Sequence, residues 1–190
     1  MFRKTTLMAL ALYAGTAGLA QAQDFIKSGP SVFNYNFVEG AYVDVDGTDG
    51  IALTGSGDVA DNIAILVSYT RVSEGSADAD GISFGGVYHV KAGNFPMADW
   101  VFSGGFERVE VTSGPFSDSD SGLFLSGGIR YGFSEAFEGN ATLGLSTLGD
   151  TDIGFALRGL YNITPQLSAF AEADIGEDTA IGIGLRYYWR

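Results

Sequence analysis

Along most of this chain, apolar residues alternate one by one with small or polar ones, the period of a β-strand. The pattern is clearest at 178–190, where Ile181, Ile183, Leu185, Tyr187 and Trp189 share one face and Gly182, Gly184, Arg186 and Tyr188 the other. Dividing the chain at its turn signals predicts ten strands, near 33–43, 51–59, 63–72, 81–90, 100–111, 122–133, 137–148, 152–163, 167–176 and 179–189, with eight as the alternative count. The connections fall into two alternating kinds. One set (44–50, 73–80, 112–121, 149–151 and 177–178) is acidic and rich in Gly and Ser, and the other (60–62, 134–136 and 164–166) is tight, apart from a longer one at 91–99.

Parity sorts the strands into two unlike faces. If 164–166 is a three-residue turn, Ile163 faces Leu167, Tyr161 faces Ala169, and Arg158 lies directly opposite Glu172. The same count puts Ile153, Phe155, Leu157, Tyr161 and Ile163 on one side, and Gly154, Ala156, Arg158 and Asn162 on the other. Elsewhere Leu123, Leu125, Ile129, Tyr131 and Phe133 oppose Ser126, Gly128 and Arg130. A water-soluble sheet would have to expose the face of Gly, Ala and Ser, where soluble strands carry Lys, Glu, Thr and Gln. Lysine occurs only at Lys4, Lys27 and Lys91, none inside a predicted strand. The oily face therefore points to lipid and the small face inward. Each strand is long enough to cross a bilayer at a tilt, for which about 9 to 11 residues suffice. The expected fold is all-β: a single transmembrane antiparallel up-and-down β-barrel occupying 23–190. The first strand fits least simply, because Phe33, Tyr35 and Phe37 share parity with Glu39 and require either a bulge or an aromatic-filled lumen.

Residues 1–22 read as a cleaved secretory signal: Arg3 and Lys4, an apolar stretch from Leu7 to Ala20, and small residues at Ala20 and Ala22. That apolar part is shorter than the roughly 20 residues of a membrane-spanning helix. Its removal leaves 8 basic against 23 acidic residues, a net of −15, which argues against nucleic acid as a partner. With no cysteine, a disulfide framework, thiol catalysis and cysteine-based metal sites are excluded. The 28 Gly and 25 aromatic residues, with only 4 Pro, mark a β-rich chain rather than a disordered one.

On these alternating strands and the closing aromatic pair Tyr187 and Trp189, the chain resembles the small single-chain outer-membrane β-barrels of Gram-negative bacteria, the porin-like and OmpA/OmpX-like group. The opening stretch Tyr35-Asn36-Phe37-Val38-Glu39-Gly40-Ala41-Tyr42 more narrowly resembles small outer-membrane barrels once proposed as the source of a secreted quorum signal. The resemblance implies location in the bacterial outer membrane, contact with the lipid bilayer and lipopolysaccharide, insertion by the outer-membrane assembly machinery, and a monomer. Both ends of the strand array would face the periplasm. Family members usually end on an aromatic residue, whereas here Arg190 follows Trp189.

Little in the sequence suggests catalysis. The single histidine, His89, ends a strand descending to the periplasm, the wrong end for the outward-facing sites of outer-membrane hydrolases, and Ser126, Ser146 and Ser168 have no histidine in register. The segment 44–50 superficially resembles a calcium loop, but Thr48 and Asp49 occupy the places that need Asp or Asn and then Gly. No cofactor or metal is expected. What stands out is a set of inward charges: Arg130, Arg158 and Arg186 on the sixth, eighth and tenth strands, Glu107, Glu138, Glu172 and Asp174 on the fifth, seventh and ninth, and Glu39 on the first. Arg130 is diagonal to Glu138 if Phe133 pairs with Phe137. Tyr131, Phe133, Tyr161, Tyr187 and Trp189 are the expected interfacial and closing-strand aromatics. Ten strands about 4.8 Å apart and tilted about 40° give a backbone radius of roughly 10 Å, about half of it taken up by side chains. Arginine–carboxylate pairs across such a bore favour a closed or very narrow lumen in a structural or surface-interaction protein. A small channel for water or cations is the alternative, and a lipid-modifying enzyme ranks last.

Overall fold

The computed structural model describes residues 31–93 and 95–189; the expected signal segment 1–22 and Arg190 lie outside the described residues. The described residues form ten strands and no helix: β1 Phe37–Val45, β2 Thr48–Ala60, β3 Ile63–Glu74, β4 Ala77–Lys91, β5 Ala98–Ser113, β6 Phe116–Gly132, β7 Phe137–Ser146, β8 Asp152–Asn162, β9 Leu167–Ile175 and β10 Thr179–Tyr188. Each strand pairs antiparallel with its sequence neighbours, and β1 closes on β10 from Phe37 opposite Tyr188 to Val45 opposite Ala180. Closure leaves the sheet without a free edge along this height, which is how a strand-built wall satisfies its backbone in a bilayer. The end where β1 starts and β10 finishes is called the near end below, and the opposite end the far end.

Two expectations are corrected. The acidic far-end segments 44–50, 73–80 and 112–121 are not loops: most of their residues extend the strands, and each pair of strands is joined by a two-residue turn. Asp46 (φ 50°) and Gly47 (φ 82°) both take the left-handed conformation of a type I′ turn, while Gly75 (φ 62°) and Gly114 (φ 59°), the latter before Pro115, occupy the first central place of a type II′ turn. Such turns match the twist of the flanking strands, so pairing continues to the tip, with Glu74 opposite Ala77 and Ser113 opposite Phe116. The acidic 44–50 segment is likewise a hairpin, in which Asp44 accepts the Gly47 amide at 2.9 Å. The second correction is that β1 begins at Phe37, not residue 33. Residues 31–36 leave the wall and cross the near end of the lumen. Near-end turns follow expectation: Ile163 donates to the Leu167 carbonyl and Phe133 to that of Phe137, both at 2.9 Å.

The outer face is a continuous oily belt. On β10, Ile181, Ile183, Leu185 and Tyr187 are each more than half exposed, while Ala180, Gly182, Arg186 and Tyr188 are buried inside. The belt ends sharply towards the far end, where Tyr42, Ile51, Tyr69 and Ile82 give way two residues on to Asp44, Asp49, Arg71 and Asp80. A surface of this extent and composition is costly in water and satisfied in hydrocarbon.

Candidate functional site

The lumen is filled in three storeys. At the far end Val43, Val45, Val72, Ala79, Val109, Leu148 and Ala180 pack into a dry apolar layer, each at most 1 % exposed. Leu148 comes from the connection after β7 and folds inward, its amide donating to Ser146 Oγ at 3.1 Å. Gly122 makes room for it: a Cβ there would lie 2.6 Å from the Leu148 nitrogen.

The middle storey is ionic. Glu39 accepts from Arg158 Nη1 at 3.0 and 3.1 Å and from Arg186 Nε at 2.8 Å, and Arg158 Nε donates to Glu172 Oε2 at 2.5 Å. A chain Glu172–Arg158–Glu39–Arg186 therefore joins β9, β8, β1 and β10, four contiguous strands, on one side of the bore. Arg130 is a second centre, donating to Glu138 at 2.7 and 3.0 Å and to the Tyr188 hydroxyl at 2.9 Å. Each lumen arginine also lies over an aromatic ring: Arg186 on Phe37 at 3.8 Å, Arg130 on Phe33 at 4.4 Å and Arg158 on Phe170 at 4.6 Å. The planar guanidinium serves both contacts at once, donating in its plane and stacking on its face, which lysine could not do.

Arg158 therefore meets Glu172, and Arg130 meets the diagonal Glu138, as parity implies. Glu39 as the link between two arginines was not foreseen, because it depends on the closing register that sets Glu39 opposite Arg186. Glu107 is buried but stands apart from the arginine chain. It takes a 2.5 Å bond from Ser146, and its other oxygen meets no partner. Asp174 is buried two places beyond Glu172 on β9. The first strand's aromatics fill the lumen: Tyr35 and Phe37 are both buried. Tyr131, Phe133, Tyr161, Tyr187 and Trp189 all lie on the outer face towards the near end, Phe133 set edge-on to Tyr131 with centroids 5.0 Å apart. Ion chain and arginine-bearing wall enclose a chamber of about 90 Å³, which also touches Thr54, Ser56 and Ser68 on the opposite, hydroxyl-bearing wall. That is room for a handful of waters.

The near-end storey is built by residues 31–36 and the strand ends they meet. Asp99 on β5 accepts from the Ser31 hydroxyl, the Val32 amide (3.1 Å) and the Tyr35 hydroxyl (3.3 Å). Burial pushes the Tyr35 phenol above its usual range, so it stays a neutral donor. Its ring stacks on His89 at 3.8 Å, and His89 Nε2 pairs with Asp58 at 2.9 Å. His89 is thus a lumen residue at the near end, tied to a carboxylate and a phenol. No group of side chains among the described residues is placed to hold a metal ion.

No protein-family model matches the chain, and no curated protein matches it. Solved structures do. The KdgM porin is similar over 81 % of this chain and 99 % of its own, at 14 % identity and a TM-score of 0.52. The same porin in complex with disordered oligogalacturonate gives 15 % identity and 0.51 over the same shares. The NanC porin gives 11 % and 0.51, over 80 % of this chain and 99 % of that one. At such identities the likeness is one of fold, and the fold of this chain is that of the outer-membrane β-barrel porins.

Proposed function

We propose that the chain is an integral protein of a bacterial outer membrane whose lumen is shut, with a structural or surface-interaction role and no enzymatic one. Export would follow cleavage after residue 22, and insertion would use the outer-membrane assembly machinery. The near end would face the periplasm and the acidic hairpin tips the exterior, among lipopolysaccharide. The observation that carries this is the ion chain Glu172–Arg158–Glu39–Arg186, which fills one side of the bore below an apolar layer and leaves about 90 Å³ between it and the facing wall. Water and ions need a continuous polar path, and a dry layer of Val43, Val45, Val109 and Leu148 denies one. Against an enzyme, His89 faces Asp58 and Tyr35 at the periplasmic mouth rather than a hydroxyl nucleophile at the outer rim.

A small channel for water or cations is the second reading, favoured by the fold shared with porins and by the hydroxyl wall of Thr54, Ser56 and Ser68. One of those porins is solved with an oligogalacturonate, a ligand far too bulky for this chamber. Single-channel recording of the refolded protein separates the two. A shut lumen predicts a silent or barely conducting barrel, and a steady cation-selective conductance would replace it with the channel.

A further inference from the structure

Where β1 ends at Phe37, its neighbours continue: β2 runs on to Ala60 and the chain beyond β10 to Trp189. On the β2 side, residues 57–60 run on past the last rung with β1 at Ser56, the Asp58 amide there bonding Asn36 Oδ1 at 2.9 Å, and Phe33, Tyr35 and Phe37 keep the strand's alternation. The segment nevertheless turns into the lumen, its last backbone rung being the Trp189 amide on the Asn36 carbonyl at 3.1 Å. It crosses to β5 and β6, on the side of the barrel opposite β1. There it is held mainly by side chains: Asp99 grips Ser31, Val32 and Tyr35, and Arg130 donates to the Asn34 carbonyl at 3.2 Å, while at its base Asn36 stays by the wall, its Nδ2 donating to Asp58 of β2 at 2.7 Å. Phe33, Asn34 and Arg130 line an open near-end vestibule of about 490 Å³, while Tyr35 and Arg130 line the chamber above it. The segment is the partition between the two.

We propose that residues 31–36 are a strap with two positions, one across the mouth as found here and one laid back against the wall as an extension of β1. Moving between them opens the chamber to the periplasmic side while the apolar layer keeps the far end shut. The two positions exchange one set of hydrogen bonds for another: the Asp99 and Arg130 contacts for ladder rungs beside β2. This is a bistable element of the kind that lets small biases shift a population. It deepens the function proposed above and rests on a lumen shut at its far end.

The chain has no cysteine, so one introduced thiol reports chamber access without background. Ser68→Cys, on the chamber wall, is refolded into lipid nanodiscs and its rate of modification by a small charged methanethiosulfonate is measured, alone and with Ser31→Ala plus Tyr35→Phe, or with Asp99→Asn. Each variant weakens the grip on the strap, and losing one or two hydrogen bonds shifts a two-state population about tenfold or more. The expected result is slow labelling in the parent, acceleration of about tenfold or more in the strap variants, and no conductance in any of them. Folding is checked by heat-modifiable gel migration. Ser31 and Tyr35 lie outside the strands, so that pair of substitutions keeps the test alive if Asp99→Asn does not fold. Unchanged labelling in folded, silent variants overturns the strap. A parent that conducts freely overturns the shut lumen, and the strap with it.

Discussion

Glu39 is the residue on which the ionic storey depends, because one carboxylate neutralises two guanidinium groups from different strands. Removing it strands Arg186 against Phe37 with no carboxylate, whereas Arg158 keeps Glu172. Stranding one partner of a buried pair costs about 3 to 5 kcal/mol. Glu39→Ala should lose about that much in urea-induced unfolding from lipid vesicles, and Glu39→Gln somewhat less, since the amide still accepts a bond. Arg158→Ala alone strands Glu172, so it too should destabilise. Arg158→Ala with Glu172→Ala should recover much of that loss, because Glu39 keeps Arg186. Two single mutants as stable as the parent would mean a wet, screened lumen. Glycine positions give a second contrast at this scale. A Cβ on Gly184 would lie 2.3 Å from the Gly40 carbonyl oxygen and 2.6 Å from the Phe170 ring, while one on Gly55 meets nothing within 4 Å. Gly184→Ala should therefore cost about 1 to 3 kcal/mol, and Gly55→Ala should fall within about 0.5 kcal/mol of the parent, by the same unfolding measurement.

Among the elements, β10 bears most on assembly, since it joins the last strand to the first and carries Tyr187 and Trp189 outward at the near-end rim. Amphipathic rings at that height anchor a strand at the membrane interface. Tyr187→Ala combined with Trp189→Ala should impair barrel formation in cells, seen as loss of the heat-modifiable band and appearance of degraded or periplasmic protein. Normal folding of that double mutant would remove the anchoring role. The β5–β6 hairpin tests the turn chemistry. Gly114 at φ 59° precedes Pro115, and a β-branched side chain is strained in that conformation. Gly114→Val should destabilise by about 1 to 3 kcal/mol without changing the fold, because the turn lies beyond the oily belt. These short turns were misjudged as acidic loops because Asp, Ser and Gly favour loops and hairpin tips alike, and only the pairing of Asp78 with Thr112 and Val111 with Asp118 separates them.

For the whole molecule, the oily belt predicts that mature protein fractionates with outer membranes, resists urea and carbonate extraction, and migrates differently on gels before and after boiling. Recovery as a soluble periplasmic monomer would overturn the membrane barrel. The ten strands, their two faces and the Arg158–Glu172 and Arg130–Glu138 pairs were all legible from alternation and turn spacing, because each depends only on local period and on hairpin register between sequence neighbours. Three features were not. The bond from Glu39 to Arg186 needs the first strand to meet the last, a contact about as distant in sequence as the chain allows. The apolar far-end layer gathers Val43, Val72, Val109 and Leu148 from strands and a connection whose individual patterns give no hint of meeting. The inward turn of residues 31–36 runs against their own alternation, which reads as strand. Sequence determined the barrel, because a bilayer imposes its demand on every strand separately. Tertiary closure decided what fills the barrel, because the lumen is a small shared volume in which side chains from all ten strands compete for the same space.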